Sequence, residues 1–371
     1  MTSLRSVLSR KGLIAALAAS AAIATVTVSS PIGAEASTRP VAHHAVASPN
    51  PLANLTWGNY TGSTDELYNT LPRLHGTNRR LLQSVAVRPR MRWFGAWYSD
   101  NFIYTAMRRY IQNVIHGRRN VLVQMAIFRM VPWETRACPS LPTAAQQRSY
   151  YRWINRAARA IGRTHVAMVL QPDLPFAFCV PHHSRLPLNM VSYAARKFSS
   201  LAHTSVYLDS GAADWSPVNR SVWLLRHAGI RYARGFALDA THYDATSAQV
   251  LYGAKIQNAL SAWGLHGKRF IVNTAQNGRP FSRQWYMHHG GTGRGYNNAA
   301  ECRTVGQRHC VTLGIPPTWH TSSAPGLTAQ ARSLAGKYCD AFLWVGRPWQ
   351  MSQPSGFNLT RLLNMARTTP Y

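Results

Sequence analysis

Acidic residues are what this chain has least of. Twelve Asp and Glu stand against 41 Lys and Arg in 371 residues, a formal net charge of +29. Lysine is also scarce. Only Lys11, Lys197, Lys255, Lys268 and Lys337 occur, so the positive charge is carried by arginine. Long basic runs are absent: the Arg-Arg pairs are 79–80, 108–109 and 118–119, and no run reaches five. That pattern lacks the clustered basic face of a nucleic-acid reader, although an Arg-rich surface still attracts polyanions. The five cysteines include no C-x-x-C pair, which argues against a zinc site. No other metal or cofactor motif is present. Beyond the N-terminus no stretch approaches the ~20 apolar residues that a membrane span needs. Pro, Gly and Ser do not dominate and 46% of residues are hydrophobic, which excludes disorder over most of the length.

What is present begins with an export signal. Arg5, Arg10 and Lys11 form a charged start, residues 12–28 are apolar and small, and Ala34-Glu35-Ala36 is an A-x-A site. Residues 1–36 therefore read as a signal peptide, cleaved before Ser37 rather than kept as an anchor. Cleavage removes three basic residues and one acid and leaves about +27. Residues 37–50 read as a polar linker, and 51–371 as a single catalytic domain. The expectation is a secreted monomer with no stable membrane insertion after cleavage. Export meets oxidising conditions, so two disulfides and one free thiol is the simplest account of five Cys.

Short apolar runs alternate with helix-length amphipathic stretches. The runs are Met91–Trp97, Val121–Phe128, Val166–Leu170, Val206–Leu208, Gly235–Leu238, Phe270–Val272 and Ala341–Val345. The stretches between them are Phe102–Ile115, Thr143–Ile161, Leu188–Ala202, Pro217–His227 and Ser247–Trp263. Such alternation predicts an α/β fold with a parallel sheet, and seven runs suit a TIM-like barrel. Residues 277–323 read as a long functional or capping loop. The paired histidines at 43–44, 182–183 and 288–289 fall in loop-like segments and read as solvated rather than as ligands.

In an α/β barrel the working residues lie at the C-terminal ends of strands. Asp100, Glu134, Asp173, Asp209 and Asp239 all follow or end a run, whereas Asp340 precedes one. Any single Asp there could merely cap the next helix. Five such positions in so acid-poor a chain read as placement.

These residues carry a resemblance. Tyr207-Leu208-Asp209-Ser210-Gly211-Ala212-Ala213-Asp214-Trp215 resembles the Y-[IL]-D-A-G-H-x-x-W of glycoside hydrolase family 6, the exported cellobiohydrolases and endo-β-1,4-glucanases. Residues 270–278 are similar to the family's F-V-I-D-T-S-R-N-G, and residues 341–345 to its D-A-F-L-W-V. The likeness runs from about Asn50 to Val345. It implies a distorted seven-stranded parallel α/β barrel with a substrate cleft, and hydrolysis with inversion. It also implies that Asp173, in Gln171-Pro172-Asp173, is the general acid. Asp209 would be its charged neighbour, Trp93 and Trp215 sugar platforms, and Asn277 a substrate contact. A pairing of Cys138 with Cys179 is implied, as is a second bridge from Cys310, for which Cys302 and Cys339 are both available partners.

The chain also departs from the family pattern. Ala137 stands where the R-D-C motif has Asp, Ala212 where D-A-G-H has His, and Gln276 where an Arg precedes Asn-Gly. Residues 346–353 carry no carboxylate where the family has K-x-P-G-E-x-D-G, and Asp239 is an acid gained in place of Asn. The base is therefore expected at Glu134, Asp239 or Asp100, or as a water chain ending at Asp209. The function expected is a secreted glucanase cutting β-1,4-glucosidic bonds of cellulose or a related polysaccharide. The competing reading is a polysaccharide-binding relative with impaired turnover. Arginine on the surface and the altered sugar contacts make an anionic or substituted glycan a further expected target.

Overall fold

The computed structural model describes residues 49–131, 133, 137–351 and 356–371. The expected signal peptide, nearly all of the linker, and Glu134 lie outside them. Eight strands occur among the described residues: β1 Thr56–Trp57, β2 Arg92–Gly95, β3 Val121–Phe128, β4 His165–Leu170, β5 Thr204–Asp209, β6 Gly235–Leu238, β7 Arg269–Asn273 and β8 Cys339–Leu343. All ladders are parallel and run in chain order from β3 to β8. β3 is long enough to take two partners on one edge. Its first residues pair with β1 and its last four with β2.

Small residues line the inside of the curled sheet. Ala126, Ala167, Ala237 and Ala341 meet Trp93, Tyr207 and Ile271 in one buried cluster. Residues of both sheet ends, Trp93 and Leu343, belong to that cluster, so the sheet curls back on itself. No ladder joins β2 to β8 among the described residues. The seam is crossed instead by Met91 N to Trp344 O at 2.9 Å and by Trp93 Nε1 to Val345 O at 2.7 Å. The result is the expected distorted parallel barrel, open along one seam.

The helices lie outside. Chain order gives α1 Glu66–Thr70, α2 Gly76–Ala86, α3 Ile103–Ile115, α4 Ala144–Ile161, α5 Leu186–Ser199, α6 Val218–His227, α7 Thr246–Ala262, α8 Arg283–His288, α9 Gly293–Asn297, α10 Ala329–Tyr338 and α11 Leu359–Thr368. Local chemistry sets several starts. Thr143 and Gln146 form a capping box on α4, and Pro187 sits in the first turn of α5, where its missing N–H costs nothing. Outward strand residues such as Val166, Met168, Leu170, Val206 and Leu208 pack under α3–α7 in the largest core cluster. Burial there is the main stabilising term.

Two disulfides close loops on this frame, Cys138–Cys179 and Cys302–Cys310, and Cys339 is a buried free thiol. Cys302 is thus the partner of Cys310. Residues 277–323 do form a largely irregular segment, though α8 and α9 lie within it.

Candidate active site

Strand periodicity builds the floor of the site. Side chains alternate in and out along a strand. Inward positions are Val169 on β4, Tyr207 on β5, Ala237 on β6 and Ile271 on β7. Two residues further on, the same parity reaches Gln171, Asp209, Asp239 and Asn273. All four are fully buried at the C-terminal end of the barrel. Apolar packing therefore gives way to polar groups at the same level on four neighbouring strands.

Asp173 follows two residues after Gln171. Its backbone is left-handed at φ 61°, as are those of Gln171 (φ 56°) and Asp239 (φ 62°). Such conformations are uncommon outside glycine, and they gather at functional sites. The turn brings the Asp173 N–H to Asp209 Oδ2 at 2.7 Å, and Thr241 Oγ donates to Asp173 Oδ1 at 2.8 Å. Burial pushes the Asp173 carboxyl above its ordinary value, with Thr241 and His242 pulling the other way. Asp209 is pushed well above, first by burial and then by the charge of Asp173. Both carboxyls are thus pushed toward the protonated form, Asp209 further than Asp173.

A second polar group flanks this pair. His242 Nδ1 lies 2.8 Å from Asp214 Oδ1, and the His242 ring stacks on Trp215 at 5.0 Å and 11°. Asp214 also accepts from Arg283 N at 2.6 Å and from the Tyr296 hydroxyl at 3.0 Å. Burial opposes the charge on Asp214. The hydrogen bonds from His242, Arg283 and Tyr296 outweigh it and hold the carboxyl below its usual range. Asp239 is different. Burial and the charges of Asp214, Asp244 and Asp209 push it well above, and its Oδ1 has no partner among the described residues. Asp244 is pushed up to about 6 by burial and by Asp214.

The expected site residues thus separate. Asp173, Asp209 and Asp239 lie together at one barrel end. Trp215 is half-buried beside His242, with Phe176 edge-on at 5.6 Å. Trp93 is buried in the barrel lining but also borders a cavity. Asn277 is buried, and its amide donates to Asp244 O and Thr246 Oγ, both at 3.0 Å. It braces the loop after β6. Asp100 does not join the cluster. Arg152, Ser149 and Arg129 surround it, and although burial opposes its charge, Ser149 and Arg152 hold it low. Ala137 is buried beside its bridged neighbour Cys138.

Sequence reasoning passed over Asp214, Thr241, His242 and Asp244. The signal was a dense polar run, Asp239 to Asp244, directly after a strand. No group of three or more His, Cys, Asp or Glu among the described residues is arranged to hold a metal ion.

Comparison with known proteins bears on the family and the fold. A sequence model described as "Glycosyl hydrolases family 6" matches residues 56–350. Endoglucanase A of Cellulomonas fimi is 29% identical over 234 residues, 62% of this chain and 49% of that protein. Endoglucanase 1 of Streptomyces halstedii is 29% identical over 205 residues, 54% of this chain and 63% of that one. The chain therefore spans about half to two thirds of the length of these relatives. Among solved structures, the endoglucanase Cel6 of Mycobacterium tuberculosis, in complex with a thio-linked cellobioside, matches with TM-score 0.67. That match has 21% identity and covers 86% of this chain and 99% of that one. Cellobiohydrolase II of Humicola insolens, in complex with glucose and cellotetraose, matches with TM-score 0.59 at 18% identity, covering 81% and 87%. The likeness in fold and the match over most of the chain lead to one conclusion: this protein belongs to glycosyl hydrolase family 6.

Proposed function

We propose that the chain is an exported, inverting β-1,4-glucan hydrolase with Asp173 as general acid. The observation that carries the reading is the state of Asp173. It is buried at the strand ends, bonded to Asp209 through its own N–H, and pushed toward the protonated form. A general acid must hold a proton at working pH and release it to the leaving glycosidic oxygen. As the C–O bond breaks, water adds at the anomeric carbon from the opposite face and gives up a proton to a base, with inversion. Asp173 ends ionised, and Thr241 stabilises the charge that develops.

The base is one of Glu134, Asp239 and Asp100, or a water chain ending at Asp209. Asp100 is taken up by Arg129, Arg152 and Ser149. Asp239 keeps one oxygen unpartnered among the described residues. Glu134 lies outside them. Trp215, steadied by His242, offers a flat face to the C–H face of a sugar. The proposed protein works as a monomer on a polysaccharide.

A second reading, glycan binding without turnover, is favoured by Ala137 and by the lack of any carboxylate in residues 346–353. One experiment separates the two. The chain from Ser37 and its Asp173→Asn variant are incubated with cellohexaose, and the anomeric protons are followed by NMR. Hydrolysis yields α-anomer first, and the variant loses about 10²–10⁴ in rate. A β-anomer product would rule out inversion. No product, with sugar signals still broadened, supports the binding reading.

A further inference from the structure

Beside Trp93, along β2 and past the C-terminal end of β8, lies a cavity of about 140 Å³. Its wall combines Trp93, Trp97, Tyr98, Arg92, Arg347 and Glu66. Arg90 and Asp65 also border it, but they are paired with each other and neutral together. Arg92 bonds Tyr98 and lies over the Tyr60 and Tyr110 rings, whereas the charge on Arg347 is opposed by burial and by Arg92 and is favoured by the charge of Glu66. Neither makes an ion pair with a described carboxylate. Arg92 lies 4.8 Å from the Tyr60 ring centroid, and Arg347 lies 6.0 Å from that of Trp93. The Arg347 Nε is buried without a hydrogen-bond partner among the described residues. The acid lining this space without an ion pair is Glu66, which is solvent-exposed.

Arg347 keeps a buried donor unused, and its charge is opposed by burial and by the charge of Arg92, so an anion seated beside it would offset both. A guanidinium offers parallel N–H donors that match a planar carboxylate. The indole of Trp97 is 56% exposed at the same opening, and Trp93 lines the wall. A flat aromatic face in a wall that also carries two arginines fits a sugar ring that bears an acid group.

We propose that this cavity binds a carboxylate-bearing sugar unit, so that the glycan recognised by the chain is an acidic β-1,4-glycan, with Arg92 and Arg347 determining specificity. The proposal rests on the carbohydrate reading above and names its substrate class. Overall charge is a separate matter, because diffuse attraction acts over the whole surface and is screened by salt. The two arginines act at contact distance.

The test compares two hexamers with the same backbone: cellohexaose, and its counterpart of β-1,4-linked glucuronic acid. Binding is measured by titration calorimetry on the Asp173→Asn background, which keeps both sugars intact. The salt is about 0.15 M, where screening acts beyond about 8 Å. The expected result is binding of the acidic hexamer about tenfold tighter or more, as charge-assisted hydrogen bonds imply. Arg347→Gln and, separately, Arg92→Gln should remove that preference without weakening cellohexaose. Arg119→Gln, at an exposed site, should leave it intact. Equal or tighter binding of cellohexaose overturns the proposal. So does a preference that survives both arginine variants, or one that Arg119→Gln removes equally, or an absence of binding by both hexamers. Inverting hydrolysis of cellohexaose by the unaltered chain, with no acidic preference, would leave the glycosidase reading standing and remove this one.

Discussion

At φ 61°, Asp173 has a backbone that costs of order 1–3 kcal/mol for a residue other than glycine. The surrounding hydrogen bonds hold it there. Asp244, nearby, has a simpler electrostatic consequence. Its folded value of about 6 lies above its ordinary 3.8, so the folded chain binds the proton more tightly than the unfolded one. The stability this contributes is full below pH 3.8 and is lost as pH rises through about 6. Urea denaturation at pH 4 and pH 7 should therefore show a smaller stability loss on raising pH in Asp244→Asn than in the unaltered chain. An unchanged pH slope would remove Asp244 as its source. At this scale the acids that end strands could be read from the chain, because apolar periodicity marks where each strand stops. His242 and Asp214 could not. Their meeting needs the loops after β5 and β6 folded together, and nothing in either local sequence states that contact. Trp93 shows the same limit. Its sequence suits a platform or a core residue, and its Nε1 bond to Val345 ties it into the barrel lining while its ring still borders the cavity.

Among the elements, Gly235 opens β6 where β7 runs closest. A Cβ there would lie 1.6 Å from the Arg269 carbonyl oxygen, so Gly235→Ala cannot fit without separating two ladder strands. A destabilisation of about 3 kcal/mol is expected from such overpacking, read as a lower Tm in calorimetry. The two disulfides should also differ. In the chain-entropy picture, loss of Cys138–Cys179, 41 residues apart, costs about 4 kcal/mol, and loss of Cys302–Cys310, 8 apart, about 2.5 kcal/mol. Paired Cys→Ser variants compared in guanidinium would check the order. The helices α3 to α7 follow their sequence patterns within a few residues; α3 to α6 each carry one apolar face, whereas α7 also buries Thr246, Gln249 and Gln257. β1 has two residues and no period to detect. α10 and α11 follow stretches whose periodicity was not recognised, and residues 277–323 are shaped by a disulfide and isolated bridges rather than by regular repeats.

For the molecule as a whole, seven alternating runs made a barrel legible, because parallel strands with crossover helices have few ways to bury both faces. The seam was not legible, since it depends on β3 sharing one edge between β1 and β2. β4 and β5 have ladders on both sides, whereas β2 and β8 have one each, with β8 adding a single bridge from Phe342 to Thr318. Amide exchange should accordingly be faster in β2 and β8 than in β4 and β5. Equal protection across the four would mean a fully closed barrel in solution.

The opposite end of the barrel is built differently. Pairing runs from Phe270–Cys339 to Ile271–Ala341, so Asp340 is an extra residue in β8. It accepts from the Tyr207 hydroxyl at 2.7 Å and from Arg234 Nε at 2.9 Å, and its carbonyl takes the Asn50 amide at 2.7 Å. That buried polar knot joins β5, β8, the chain before β6 and the start of the described residues. It shares no residue with the acidic rim. Inheritance can therefore act on the two rims separately. A change such as Asp239 at the acidic rim is borne by a chain still tied at its other end.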